Sequence, residues 1–206
     1  MFNPTSNPSK LLWPSRNPIQ IWRCLWRLLA ADYQQNRVRV EETGGGNNSN
    51  SKGLMIVTCF RIAQAGNQLS QIPVVGILPK LLIVLPYRIL FEFLLGVEIS
   101  TRAQIQGGLV IFHGQGIVIH DKARIGRNCM LRHGITIGTS LSKMRADNNP
   151  CVPTIGDNCY IGAGAIIIGD ILIGDDTSIG AGTVVTKSIP AGSVVVGSPA
   201  RLIYPA

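Results

Sequence analysis

The stretch "PTIGDNCYIGAGAIIIGDILIGDDTSIGAGTVV", residues 153–185, decides the fold. Ile155, Ile161, Ile167, Ile173, Ile179 and Val185 recur every six positions, and glycine follows four of them at Gly156, Gly162, Gly174 and Gly180. Cys159, Ala165, Thr177 and Thr183, each four residues after an aliphatic, are small or β-branched. Helices and half-buried strands repeat at about 3.6 and 2 residues, so neither sustains a period of six. Six is the period of a hexapeptide-repeat parallel β-helix. Each hexad supplies a short strand and a corner; its aliphatic side chain enters a narrow prism, and glycine permits the tight turn at the edge. No coil of such a prism is stable alone, because each buries its neighbour.

The same step runs upstream through Ile99, Ile105, Ile111 and Ile117, and then, after a slip of two residues, through Ile119, Ile125, Leu131 and Ile137. Between Ile137 and Ile155 the next sixes fall on Lys143 and Asn149, so the polar segment "TSLSKMRADNNPCVPT" (139–154) is expected to leave the prism and return as a functional loop. The β-helix is thus expected over 97–206, with a helical region over 1–96. In that region "IQIWRCLWRLLAADYQQNR" spaces Ile21, Leu25, Leu28 and Leu29 as one face of an amphipathic helix. "EETGGGNNSNSKG" (41–53) reads as a flexible loop. The apolar run 72–96 is interrupted by Pro73, Pro79 and Pro86 and by charged residues, which favours two or more short helices covering an interface over a bilayer span.

Composition narrows the partners. Of 206 residues 46% are hydrophobic, which supports a packed core, and 19 Lys and Arg against 11 Asp and Glu suit anionic ligands or an acidic membrane surface. The few aromatics are not interleaved with basic residues, so no nucleic-acid partner is expected. Five cysteines without a CxxC pair or zinc spacing point to no disulfide framework, no metal and a reducing cytoplasm. The polar, proline-broken first eighteen residues do not read as a signal peptide, and the amphipathic segment also suits peripheral attachment at the inner face of a membrane.

Histidines in an aliphatic, strand-forming stretch, "VIFHGQGIVIH" (110–120), raise the question of function. With "GVEISTRAQIQGGLVIFHGQGIVI", "LRHGITIG", the hexads of 153–185 and the closing "VVVGSPARLI", the chain resembles the serine acetyltransferase group of hexapeptide acyltransferases, over about residues 53–203. Within it, "IFHGQGIVI", "LRHGITIG" and "RADNNPC" look most like the colanic-acid-biosynthesis type of acetyltransferase. The resemblance implies a left-handed β-helix, a homotrimer and acetyl-CoA as co-substrate. It makes His113 the base that takes a proton from an acceptor hydroxyl, and Glu98, where the family has aspartate, the carboxylate that orients it. His133, Phe112, Arg132 and Arg145 are the expected acceptor-binding residues; Gly162, Ala163, Gly180 and Ala181 match positions along which the pantetheine arm lies. Relatives often carry lysine where this chain has Ser178, leaving Lys187 and Arg201 as candidates for the CoA phosphates. His120 has no assigned role.

The departures bear on the acceptor. Serine acetyltransferases have aspartate before the catalytic histidine and an Arg-His pair before the proline of the returning loop, where this chain has Phe112, Cys151 and Val152. Asp32 is a weak match to the family's N-terminal substrate aspartate. An apolar wall beside the base, with an aromatic able to stack on a pyranose, makes a sugar hydroxyl in exopolysaccharide biosynthesis the expected acceptor. Free L-serine is the alternative, and a non-catalytic scaffold the third reading.

Overall fold

The computed structural model describes residues 17–44, 50–73, 76–140 and 151–204. Helix α1 runs over Pro18–Glu42, started by Asn17, whose side chain accepts the Ile19 N–H (2.9 Å), and by Pro18 in the first turn. Its periodic face is buried as the spacing demands, with Ile21, Leu25 and Leu28 against Ala65 of α2 (Ser51–Leu69). The segment expected as a loop over 41–53 is therefore helical at both ends, and residues 45–49 lie outside the described residues. Gly53 belongs to the helix because α2 lies directly on the prism there: a side chain would run into the Ile111 carbonyl.

The apolar run also differs from expectation. Residues 77–94 form one continuous helix in which α segments Ile77–Pro79 and Leu85–Tyr87 alternate with π segments Lys80–Val84 and Arg88–Leu94. Pro79 and Pro86 have no N–H to donate, and the turns that follow widen to i→i+5 bonding instead of breaking. The inner face of this mixed helix, Val84, Tyr87 and Phe91, packs inward; the Tyr87 and Phe91 rings stack at 5.0 Å, and the Tyr87 hydroxyl donates to the Ile99 carbonyl (3.1 Å).

From Val97 the chain winds into a parallel β-helix whose described strands fall in turn into three sheets, of five, four and six strands. The opening strands are β1 (Val97–Ile99), β2 (Gln104–Ile105) and β3 (Val110–Ile111), and every later coil stacks on them in parallel register until β15 (Arg201–Tyr204) closes antiparallel on β14 (Val194–Val196). This is the left-handed hexapeptide prism expected from the sequence. Its interior is the predicted column of Ile99, Ile105, Ile111, Ile125, Leu131, Ile137, Ile155, Ile161 and their successors, and Phe60, Tyr87 and Phe91 of the helices join the same core.

One buried network docks the helices on the first coil. The Arg61 guanidinium pairs with Asp32 (2.8 and 3.3 Å) and donates to the carbonyls of Ile105 (2.7 Å) and Gln106 (2.6 Å). Asp32 accepts in turn from the N–H groups of Gly108 (2.7 Å) and Leu109 (2.8 Å). Removing one partner strands a buried charge, so Arg61→Met is expected to lower unfolding stability by about 3–5 kcal/mol. Glu41→Gln, in the exposed Arg37–Glu41 pair, is expected to change it by about 0–1 kcal/mol. Urea unfolding of the two variants measures the difference.

Candidate active site

The two-residue slip in the hexads is a built feature of the first coil. Ile111 stands beside Leu131 and Val118 beside Thr136, so the corner after β3 holds two residues more than the corner one coil above. The surplus forms a protruding turn in which His113 (φ 66°), Gly114 (φ 50°) and Gly116 (φ 66°) all adopt left-handed backbone and the Gln115 N–H bonds back to the His113 carbonyl (2.7 Å). A non-glycine residue held there costs about 1–3 kcal/mol. The other described non-glycine residues of this kind, Asn128, Asn158 and Asp176, are types that tolerate it, and they form a hydrogen-bonded ladder at another corner (3.2 and 3.0 Å). His113 joins no such ladder.

The stacking places His133 directly over this turn. The two imidazoles are exposed, meet edge to face with centroids 5.9 Å apart, and make no hydrogen bond among the described residues. Both are therefore free to bind a ligand. His120, by contrast, turns its Nδ1 to the Lys122 N–H (3.2 Å) and closes a corner. Glu98 lies exposed on β1, next to Val118 in the sheet that the His113 turn leads into, and its carboxylate makes no bond to His113 in the single chain.

Phe112 does not stand where the sequence suggested. It is 8% exposed, packed among Val110, Met130 and Val40 of α1, so its face is unavailable to a pyranose. The cause is α1, whose Val40 covers outward-pointing residues of this sheet. Cys151 is buried as well. Arg132 lies half-buried at the edge of the same cluster, its guanidinium 5.6 Å from the Phe112 ring and 6.0 Å from that of Tyr160, and its Nε has no partner among the described residues. Tyr160 was not singled out from the sequence, although the hexad register aligns it with Val110 and Met130. Arg145 lies outside the described residues. Asp32, the weak match to a substrate aspartate, is 1% exposed and fully engaged by Arg61 and the first coil.

Beyond His133 the corner becomes smooth. Ala163 and Ala181 follow Ile161 and Ile179 in step with His133, the first half-buried and the second exposed, and Gly164 and Gly182 beside them are exposed. Gly162 and Gly180 are glycines because the next coil lies against them: a Cβ would meet the Ala181 backbone or, at 2.8 Å, the Val196 side chain. The result is a strip bearing nothing larger than a methyl, a surface on which an extended arm such as pantetheine fits. Cysteine chemistry does not compete at this site. Cys129 and Cys159 are buried in the prism with thiols donating to the carbonyls of Gly156 and Gly174 (3.2 Å each), and contact with Cys159 together with burial holds the Cys129 thiol well above its usual range. The described residues contain no group able to hold a metal ion.

Comparison with known proteins agrees with this architecture. The repeat signature described as "Bacterial transferase hexapeptide (six repeats)" matches residues 153–187. The chain is 34% identical to a serine acetyltransferase of Synechococcus elongatus, over 74% of this chain and 57% of that protein. It is 43% identical to the putative colanic acid biosynthesis acetyltransferase WcaB of Escherichia coli, over 56% of this chain and 68% of the relative. Soybean serine acetyltransferase superposes with a TM-score of 0.68 at 33% identity, covering 87% of this chain and 69% of that one. The chain spans about half the length of several curated relatives it matches. Because Phe112 is a packing residue, Phe112→Ala is expected to lower stability by about 3–5 kcal/mol. A stacking platform for the acceptor would instead leave thermal unfolding unchanged and raise KM.

Proposed function

The chain belongs to the serine acetyltransferase group of hexapeptide-repeat acyltransferases, and on that premise we propose that it transfers the acetyl group of acetyl-CoA to a hydroxyl. One observation carries the proposal: an unbonded, exposed imidazole held in left-handed backbone on a lengthened corner, next to a second imidazole and in line with a strip bearing nothing larger than a methyl. An alcohol is too weak an acid to attack a thioester unaided at neutral pH, and imidazole titrates in that range. Acetyl-CoA supplies the activated acyl group. His113 takes the hydroxyl proton and passes it on to the departing sulfur, and His133 positions the acceptor. Glu98 serves as a positioning residue, its carboxylate swinging to a ring nitrogen of His113 once the site is filled. A homotrimer in the cytoplasm, with acetyl-CoA lying along the Ala163–Ala181 strip, completes the proposal.

L-serine is the acceptor favoured by the relatives' names, two of the three proteins compared above being serine acetyltransferases. A sugar hydroxyl is the second reading, resting on WcaB and on a specific observation: Phe112 stands where serine acetyltransferases carry a carboxylate, and Asp32 is locked to Arg61. Stacking on Phe112 is no longer part of it.

Thiol release from acetyl-CoA, measured with L-serine and with a sugar panel, tests both levels. His113→Ala is expected to reduce the rate by about 100-fold or more with whichever acceptor turns over. Equal rates in the two proteins would refute the base, and turnover with sugars but not serine would select the second acceptor.

A further inference from the structure

The mixed helix leaves a long apolar stripe facing solvent. Ile77, Leu81, Leu82, Ile89, Phe93 and Leu94 are all more than half exposed, Ile77 and Phe93 at 78% and 83%. The stripe is not surplus core, because Val84, Tyr87 and Phe91 on the opposite side do the packing. With Leu85, 45% exposed, the series Ile77, Leu81, Leu85, Ile89 and Phe93 recurs every four residues, a spacing that drifts around an α-helix of about 3.6 residues per turn. The π segments wind more residues into each turn and keep the stripe on one side. An exposed apolar surface of this extent marks a contact.

Charge identifies the occupant. Residues 1–96 carry ten Lys and Arg against four Asp and Glu, more than half of the net +8 of the whole chain. Lys80 and Arg88 stand exposed on the mixed helix, and Glu92, the acidic residue of that helix, is neutralised by Arg88 (3.0 Å). Helix α1, packed on the same α2, exposes Trp22 and Trp26 with Arg23 and Arg27, the residue types that favour a lipid–water boundary. A second copy docking through this stripe would bring two basic surfaces together. Among the described residues no helix is long and apolar enough to cross a membrane. We propose that the mixed helix lies in the plane of an anionic phospholipid bilayer, with its stripe at the boundary of headgroups and acyl chains and the basic residues on the lipid phosphates.

The proposal is independent of the acetyl acceptor and is tested without activity. The full chain is floated with vesicles of phosphatidylglycerol and phosphatidylcholine in equal parts, and with phosphatidylcholine alone. Wild type is expected to float with the anionic vesicles, less in molar salt, and hardly with the neutral ones. Leu82→Gln/Phe93→Gln is expected to lower partitioning by about 10-fold or more, at unchanged thermal unfolding. Ile77→Gln/Leu94→Gln gives the same readout should the first pair fail to fold. Wild type remaining with the unbound protein, equal binding to neutral vesicles, or wild-type flotation of the folded variants would each overturn the proposal. So would absent vesicle binding with a smaller assembly for the variants in sedimentation, which would assign the stripe to a second copy.

Discussion

In-register stacking of the coils is the constraint from which the rest follows. A hexad has too little side-chain volume to bury itself, so its isoleucine is stable only between the isoleucines of the coils above and below. That requirement fixes the vertical neighbour of every residue, on the outside of the prism as well as the inside. His113 and His133 meet for this reason, and so do the glycine and alanine positions that follow them along the corner. The proposed site is a product of register, with His113 on the one turn that is allowed to deviate.

A stack has two ends, and the first coil needs a cover. The helices provide it, α1 and α2 held by an ion pair between residues distant in sequence, Asp32 and Arg61, which also satisfies backbone groups of the first coil. The same docking has a functional consequence, since α1 buries Phe112 and commits Asp32 to structure. Two side chains that the family resemblance would offer to an acceptor are thereby used for holding the helices, and the two exposed imidazoles are left in line with the strip.

The prism was legible because its period is strict and matches no other element; even the slip before Ile119 and the departure after Ile137 stand out against it. His113 was legible as a polar residue in an aliphatic strand, but the lengthened corner that carries it was not read from the slip. The burial of Phe112 was not, because a hexad distinguishes inward from outward side chains but says nothing of which outward face a helix will cover. The continuity of residues 77–94 was hidden by prolines that ordinarily end helices and here widen them. The role of Asp32 was hidden because its partner lies 29 residues away, on another helix.

The proposed base is the His113 imidazole, held on left-handed backbone. Glycine accepts that conformation without strain, so His113→Gly should keep the corner and lose only the ring. Acetyl-CoA cleavage by this variant, followed with and without added imidazole, is the most direct measurement. The account predicts a rate at least about 100-fold below wild type that recovers in part as imidazole is supplied. A folded variant that cleaves at the wild-type rate would contradict it.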